Sequence, residues 1–419
     1  MENSAFDRIV GYDGIKEELQ QIIDMMLNPS IYKRLGAKLP HGILLIGQAG
    51  TGKTTLCEAF IEEAQTYSIT LRKNSSDGDF VEKITKAFQD AKEKGTAIIL
   101  LDDLDKFANE DENHSDADEY VAVQSGIDSV KDNNVLVLAT VNNPRKLPKS
   151  LIRAGRFDRE IKMPMPTDRE AEKILEYYMA DKEIDPTVNK EDIVKMVGGN
   201  VAAVMESIIN NAAIMAGAER CEQIRMKHIV NAVLRRQYNC ADDKAIVDAE
   251  ELEMRALHEA GHATVALALG EDVGFVSIAD SEQYESGGFI HMAKSIKRRP
   301  NDVMICLAGK AACELYLPHT ASGCSNDLMR AMTMLMRGIT DNGTSGLFLL
   351  DGGELGCSSF DKLQETAVKA ALERYLSESR DILLTERKLL VALKNALMDK
   401  KTLLYSDIKK LVEANKSTF

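Results

Sequence analysis

One short segment holds two histidines and a glutamate at a spacing suited to metal-assisted hydrolysis. The run His258-Glu259-Ala260-Gly261-His262 lies in the apolar helical stretch Met254–Leu269, and a four-residue spacing puts both imidazoles on one helix face. Two neutral nitrogens can then bind one Zn²⁺, and Glu259 can act as a general base on a water bound to that ion. A structural zinc site is usually closed by four protein ligands, so the pattern favours peptide hydrolysis.

A catalytic zinc needs one further protein ligand and keeps one position open. By residue type alone the candidates are His291, His319, Glu314 and Asp327, and sequence spacing does not choose among them. Cys324, three residues before Asp327, is expected to be a small buried side chain rather than a thiolate ligand.

A second segment has the composition of a phosphate-binding loop. The run Gly47-Gln48-Ala49-Gly50-Thr51-Gly52-Lys53-Thr54 fits G-x-x-x-x-G-K-[ST] and directly follows the apolar run Ile43–Ile46. The glycines let backbone N–H groups face the phosphates, while Lys53 neutralises the β- and γ-phosphates and Thr54 can ligate Mg²⁺. The pattern therefore predicts binding of ATP or ADP with magnesium.

Polar residues at the ends of two further apolar runs support the nucleotide site. The run Ile98–Leu101 leads to Asp102 and Asp103, and the run Val135–Ala139 leads to Asn142. Because the carboxyl ends of parallel strands share one edge of a sheet, we expect Asp102 behind the magnesium ion and Asp103 beside the attacking water. Asn142 is expected to orient that water or to sense the γ-phosphate.

The elements that must position these residues change in kind along the chain. Residues 1–166 alternate β-rich runs with helical patterns and predict an α/β domain with a parallel sheet. Helical periods then predict a lid subdomain over 167–237, with helices at Arg169–Met179, Lys190–Met196, Val201–Met215 and Met226–Arg236. A polar linker is expected over 238–247, and a mostly helical unit, opened by a capping box of Asp248 and Glu251, over 248–419.

Composition excludes several classes of protein. The chain has 419 residues, 44% of them apolar, and a net charge of −14. This charge is opposite in sign to the basic surface that nucleic-acid-binding proteins need, so that class is excluded. Its seven scattered cysteines form no C-x-x-C pair and indicate a reducing, cytoplasmic compartment. The sequence contains no apolar window of about 18 residues and therefore predicts no membrane span.

The residues Leu151–Arg159 make the chain resemble the AAA+ ATPases, and the whole arrangement is similar to the FtsH family of ATP-dependent zinc proteases. The resemblance runs from Phe6 to near the C-terminus and implies an AAA+ domain with a helical lid, followed by a zinc peptidase domain. It implies that Arg153 and Arg156 reach into the neighbouring subunit's nucleotide site as arginine fingers, which requires a homo-oligomeric ring, usually a hexamer.

The same resemblance implies roles for residues that spacing alone does not assign. Val10 and Gly11 are expected to border the adenine. The segment Ser322–Asp327 looks like the family segment that supplies the third zinc ligand, so Asp327 is assigned to that position.

The chain departs from the family at three points. FtsH proteins carry N-terminal membrane helices, whereas these first residues lead into the ATPase domain, so we expect a soluble relative or a trimmed piece of a longer protein. The segment Ser75–Ile84 is shorter than the family's pore loop and lacks its aromatic-hydrophobic-glycine pattern, with Phe80 as a possible substitute. Asp103 stands where a glutamate is usual, which predicts slow ATP hydrolysis.

The main hypothesis is therefore an ATP-dependent zinc endopeptidase that degrades unfolded or loosely folded proteins. Two alternatives are a remodelling or scaffolding ATPase with a structural or vestigial zinc site, and an ATP-independent oligopeptidase. The exposed edge of a strand at Val273–Ile278 is expected to bind substrate by β-strand addition.

Overall fold

The computed structural model describes residues 4–73, 79–108, 117–240, 248–279, 287–292, 300–317, 324–340 and 358–415. The chain divides into two compact units, each with its own sheet and core. The first comprises Met1–Tyr178 with Asn200–Ser207, and the second comprises Met179–Gly199 with Ile208–Phe419. The segment 167–237, predicted as a lid, contributes residues to both units.

A parallel five-stranded sheet forms the centre of the first unit. Its strands are β1 (Gly42–Ile46), β2 (Tyr67–Arg72), β3 (Thr96–Asp102), β4 (Asn134–Val141) and β5 (Phe157–Lys162), in the order β2-β3-β4-β1-β5. The apolar runs of β1, β3 and β4 are almost wholly buried, as expected for strands covered on both faces. The predicted α/β fold and its three central strands are confirmed.

Helices cover both faces of this sheet. They are α1 (Asp13–Leu27), α2 (Pro29–Arg34), α3 (Lys53–Ala64), α4 (Phe80–Lys94), α5 (Asp118–Ser129) and α6 (Asp168–Met179). One apolar cluster joins α4 and α5 to the sheet, and a second joins α1 and α3 to it. The two layers fix the polar ends of β1, β3 and β4 at one edge of the sheet.

The second unit is mostly helical, as predicted. Its helices are α7 (Lys190–Val197), α8 (Ala202–Ala218, of which residues 202–207 belong to the first unit), α9 (Met226–Tyr238), α10 (Ala249–Ala268), α11 (Pro300–Tyr316), α12 (Ser325–Thr340), α13 (Ser358–Thr385), α14 (Arg387–Lys400) and α15 (Tyr405–Asn415). Alanine- and leucine-rich faces of α10, α11 and α14 form its main core. This packing holds α10 and α11 side by side.

A small antiparallel sheet completes the second unit. Its strands are β6 (Val273–Ser277), β7 (Phe289–Met292) and β8 (Thr402–Leu404), in the order β7-β6-β8. Because β6 pairs with both neighbours and is buried along its whole length, the prediction of an exposed strand edge at Val273–Ile278 is wrong. Strand β6 is apolar because it is central, and its backbone groups are already paired.

Helix α7, predicted as part of the lid, is bound tightly to this small sheet and to α15. Lys195 pairs with Asp272, the residue before β6, and a Cβ added at Gly274 would lie 2.3 Å from the Lys195 carbonyl oxygen. The buried Asp192 carboxylate accepts hydrogen bonds from the Ser406 backbone N–H (2.7 Å) and hydroxyl (2.8 Å).

Helix α10 starts where the sequence predicts it, but its cap differs. Asp248 occupies the N-cap position without a side-chain capping bond, while Glu251 binds Arg255 one turn further on (Oε1 to Nε, 3.1 Å). The predicted capping box is therefore wrong. Most of the predicted linker, residues 241–247, lies outside the described residues. Among the described helices, none combines the length and apolar character needed to cross a membrane.

Candidate functional sites

The predicted phosphate-binding loop joins β1 to α3, whose first residue is Lys53. Gly50 and Gly52 have φ of +84° and +91°, values that side-chain-bearing residues seldom adopt, and a Cβ at Gly47 would lie 2.9 Å from the Met163 carbonyl oxygen. The Lys53 ammonium donates to the carbonyl oxygens of Gly47 (2.8 Å) and Gln48 (2.9 Å). The loop therefore encloses a cation at the N-terminus of α3, where phosphate groups are favoured.

The end of β3 meets the start of α3 through a shared carboxylate. The Asp102 Oδ1 atom accepts hydrogen bonds from the hydroxyls of Thr54 (2.8 Å) and Thr140 (2.7 Å). A buried carboxylate beside a hydroxyl provides oxygen ligands and charge of the kind that Mg²⁺ requires. The structure thus places Asp102 and Thr54 together, at the edge where the sequence predicts magnesium.

Asn142 bridges the loop lysine and Asp103. Its carbonyl oxygen accepts from Lys53 (2.7 Å), and its amide donates to the Asp103 Oδ1 atom (3.0 Å). The other carboxylate oxygen of Asp103 accepts from Lys106 (2.8 Å) and Arg72 (3.3 Å). Burial alone would raise the pKa of Asp103, but these hydrogen bonds and cations hold it below its usual value.

The two predicted arginine fingers have different surroundings. Arg153 is exposed, whereas Arg156 is buried and bound within its own chain. The Arg156 guanidinium donates to the Gln124 side chain (2.6 Å), the Ser150 carbonyl oxygen (2.8 Å) and Asp128 (2.8 Å). This pairing, with Lys131, lowers the pKa of Asp128 to about 2.

The residues expected to border the adenine lie between the first helical turn and α1. Gly11 has a φ of +82°, and a Cβ at that position would lie 3.3 Å from a Glu170 carboxylate oxygen. Val10 is half-buried beside it. The backbone at Gly11 thus packs closely against α6.

In the second unit, His258 and His262 on α10 meet Asp327 at the start of α12. The two Nε2 atoms lie 3.0 Å apart, and they lie 3.1 Å and 3.3 Å from the Asp327 Oδ2 atom. Tetrahedral ligands bound to Zn²⁺ at roughly 2.0–2.2 Å are separated by about 3.3 Å, so the three donor atoms fit such a site closely. Hydrogen bonds to both imidazoles keep the pKa of Asp327 below its usual value, although burial opposes this.

Helix α11 fixes the orientation of His262. Its Nδ1 atom lies 2.6 Å from the Ile305 carbonyl oxygen, which can only accept, so Nδ1 carries the proton and Nε2 offers a lone pair. A Cβ at Gly309 would lie 2.5 Å from the His262 Nε2 atom and from the His258 Cε1 atom. The glycine leaves just enough room for both rings.

Glu259 lies beside the two histidines with its carboxylate buried. Its Oε2 atom has no hydrogen-bond partner among the described residues, and a Cβ at Gly288 would lie 2.7 Å from its Oε1 atom. Burial raises the pKa of Glu259, while the neighbouring imidazoles oppose that shift. A buried, unsatisfied carboxylate is costly unless a ligand or water pairs with it, which fits a proton-accepting role at a bound metal.

The other candidates for the third ligand lie elsewhere or outside the described residues. The His291 Nδ1 atom is 2.6 Å from the Tyr238 hydroxyl, and burial lowers the pKa of His291 to about 4. Glu314 is paired with Lys310 and Arg380. His319 is not among the described residues. The structure therefore brings Asp327 to the two imidazoles, and neither His291 nor Glu314.

A second group of possible metal donors, Glu219, Cys221 and His228, is better explained by hydrogen bonds. The Arg225 backbone N–H donates to the His228 Nδ1 atom (2.9 Å), so the neutral ring carries its proton on Nε2, which faces Glu219 at 3.3 Å. No lone pair of His228 is left for a metal. This ring caps α9.

Sequence reasoning missed the surroundings of His258. The Cys324 sulfur lies 3.9 Å from the His258 Nδ1 atom, and the thiol of Cys313 on α11 is a second sulfur neighbour of this ring. Cys313 is 55 residues away from His258 in sequence and follows no motif, so only the packing of α11 on α10 reveals the contact.

Two family models match separate parts of this chain. The model of the ATPase family associated with various cellular activities (AAA) matches residues 43–165, and the model of peptidase family M41 matches residues 245–411. The first match contains the phosphate-binding loop and the second contains both histidines and Asp327.

Curated relatives match most of this chain, across both family matches. An ATP-dependent zinc metalloprotease FtsH of Thermus thermophilus is 28% identical over 98% of this chain and 70% of the relative. The same named protein of Streptobacillus moniliformis is 27% identical over 99% and 65%, and FtsH 2 of Salinibacter ruber is 30% identical over 83% and 53%. The chain thus spans between about half and 70% of these relatives. Residues 43–165 thus form a domain of the AAA ATPase family and residues 245–411 a domain of peptidase family M41, in a chain that is similar over nearly its whole length to the FtsH proteases.

Proposed function

We propose that this protein is an ATP-dependent zinc endopeptidase that degrades unfolded or loosely folded polypeptides as a homo-oligomeric ring, with six subunits as the expected number, in the cytoplasm. The observation that carries the proposal is the convergence of His258, His262 and Asp327 beside the buried Glu259 carboxylate. The relatives named as ATP-dependent zinc metalloproteases support it.

The zinc site would work through groups that the chain already positions. His258, His262 and Asp327 would hold Zn²⁺, which supplies an acidified water and polarises a carbonyl when bound. Glu259 would accept the proton of the attacking water and transfer it to the nitrogen of the departing amine. Its raised pKa favours such two-way transfer because the carboxyl is easily protonated after the attack.

The nucleotide site would work through its edge residues. Lys53 would bind the β- and γ-phosphates, and Thr54 with Asp102 would hold Mg²⁺. Asp103 and Asn142 would place the attacking water. Arg153, exposed in its own chain, would reach the neighbouring subunit's nucleotide, and Arg156 would support the segment that presents it.

A fluorescent casein assay tests the proposal directly. Glu259→Gln removes the proton acceptor but keeps the shape of the side chain, so we expect proteolysis to fall at least 100-fold while ATP hydrolysis continues. Glu250→Gln, an exposed carboxylate on the same helix, is the matched control and keeps full activity. Undiminished casein degradation by Glu259→Gln would end the proposal.

The pairing of Asp103 with two cations keeps one alternative in view, an oligopeptidase that does not need ATP. Lys53→Ala distinguishes the two. Under the main proposal this variant loses ATP-stimulated casein degradation. An ATP-independent oligopeptidase would show no ATP-stimulated casein degradation even as wild type, and its Lys53→Ala variant would still cut short peptides while its assembly is disturbed.

A further inference from the structure

The Nδ1 atoms of the two zinc-site imidazoles have different partners. In His262 the Nδ1–H donates to the Ile305 carbonyl oxygen at 2.6 Å. In His258 the Nδ1 atom lies 3.9 Å from Cys324 Sγ, and the Cys313 thiol is a further neighbour of the ring. Histidines that bind metals usually donate this second N–H to a carboxylate, a carbonyl or water, so the two thiols take a place that oxygen normally fills.

Both cysteines are held firmly in these positions. Cys313 and Cys324 are 1% and 4% exposed. Cys313 lies one turn after Gly309 on α11, and its thiol points to the Met254 carbonyl oxygen at 4.0 Å. The S–H of Cys313 can therefore donate to that carbonyl, which leaves the sulfur lone pairs as acceptors.

Helix α11 also packs against the His258 ring. A Cβ at Gly309 would lie 2.6 Å from the Nδ1 atom, so the backbone of α11 already touches this edge of the ring. Cys324 directly precedes α12, which carries Asp327. Residues 324–327 thus contact the Nδ1 atom of His258 through Cys324 and its Nε2 atom through the Asp327 carboxylate.

We propose that Cys313 and Cys324 are positioning residues that orient His258 by accepting its Nδ1–H, and that they thereby set the zinc affinity of the site. The inference rests on the proposed function, since it takes zinc to bind at His258, His262 and Asp327. A thiol is a weak acceptor, so this arrangement holds the ring in place while lending it less basicity than a carboxylate would.

Zinc affinity of the full chain, measured by competition with a chromogenic chelator after metal removal, tests this role. Cys313→Ala and Cys324→Ala should each weaken zinc binding by about tenfold, the lower end of the range for lost outer partners of metal ligands. Cys313→Asp should bind zinc at least as tightly as the wild type, because a carboxylate accepts the Nδ1–H better than a thiol. If the cysteines only fill space, the buried charge of Cys313→Asp would instead weaken binding as much as alanine does.

The controls separate this inference from the proposed function. Cys57→Ala removes a buried thiol from α3 and should leave zinc affinity unchanged. Cys324→Ser is measured if an alanine variant fails to fold, and it should also weaken binding because its shorter side chain withdraws the acceptor. A wild-type chain without zinc affinity contradicts the proposed function, whereas tight binding by the wild type and by every cysteine variant overturns this inference alone.

Discussion

One methylene group separates Asp103 from the glutamate usual in its family, and the structure shows what the shorter side chain does. Its carboxylate stays against Asn142, Lys106 and Arg72 instead of extending past them. The cations keep it ionised, and both of its oxygen atoms already accept hydrogen bonds. The short side chain of Asp103 and its pairing with two cations support the proposal that ATP hydrolysis is slow.

We therefore expect Asp103→Glu to raise kcat for ATP hydrolysis several-fold, with KM nearly unchanged, because the longer arm carries the carboxylate beyond Lys106. Asp103→Asn should lower kcat by about 100-fold, since an amide accepts no proton. Steady-state phosphate release measures both. Asp132→Glu, the same change at an exposed residue, should have no effect. A slower Asp103→Glu enzyme would show that the site is adapted to aspartate.

The residues that sequence alone predicts are those whose partners lie close along the chain. The phosphate-binding loop and the pair His258 and His262 each occupy eight residues or fewer, so a helix or turn brings them together without further folding. Asp327 lies 69 residues from His258, and only its family resemblance selects it over His291. The contacts of Cys313 and Arg72 follow from packing alone and have no local signal.

Among the elements, the edge strands of the parallel sheet escaped prediction while the central ones did not. Strands β2 and β5 are partly exposed, and β5 reads Phe-Asp-Arg-Glu-Ile-Lys with only two buried positions. An edge strand needs apolar residues on few positions and is often charged to resist further pairing. Its composition therefore resembles that of a loop, whereas the buried strands β1, β3 and β4 are apolar almost throughout.

The close packing of α11 against the zinc-site imidazoles can be tested by substitution at Gly309. Gly309→Ala adds a Cβ that would lie 2.5 Å from His262 Nε2, so the rings must move and zinc affinity should fall by about tenfold or more. Gly217→Ala on α8, where the added Cβ meets nothing within 4 Å, should leave zinc affinity unchanged and stabilise the fold by up to about 1 kcal/mol. Chelator competition and thermal unfolding measure the two effects, and unaltered zinc binding by Gly309→Ala would contradict the described packing.

At the scale of the whole molecule, the exposure of Arg153 matters most. Its side chain is exposed within its own chain. The Arg156 guanidinium, in contrast, is buried and hydrogen-bonds to Gln124, Ser150 and Asp128. The exposure of Arg153 supports its proposed role as an arginine finger in a neighbouring subunit. ATP hydrolysis would then be a property of the assembly.

Mixed assemblies test that dependence. Lys53→Ala and Arg153→Ala should each abolish hydrolysis when pure, because one lacks the phosphate-binding cation and the other lacks the finger. Mixed in equal amounts, they should regain about one quarter of the wild-type rate, since only a normal loop beside a normal Arg153 is active. As a control, Arg34→Ala, at an exposed position on α2, should hydrolyse ATP at the wild-type rate. A mixture that stays inactive argues against transfer of Arg153 between subunits.

The binding of α7 to β6 and α15 bears on how a separate hydrolytic fragment could be produced. Both oxygens of the Asp192 carboxylate are engaged by Ser406, 214 residues later in the chain. A recombinant fragment that starts at Asp248 would omit Asp192 and uncover the backbone of β6 at Gly274. A cloning boundary placed before Met179 retains this intramolecular support, and a shorter fragment would need residues 179–199 added back as a peptide.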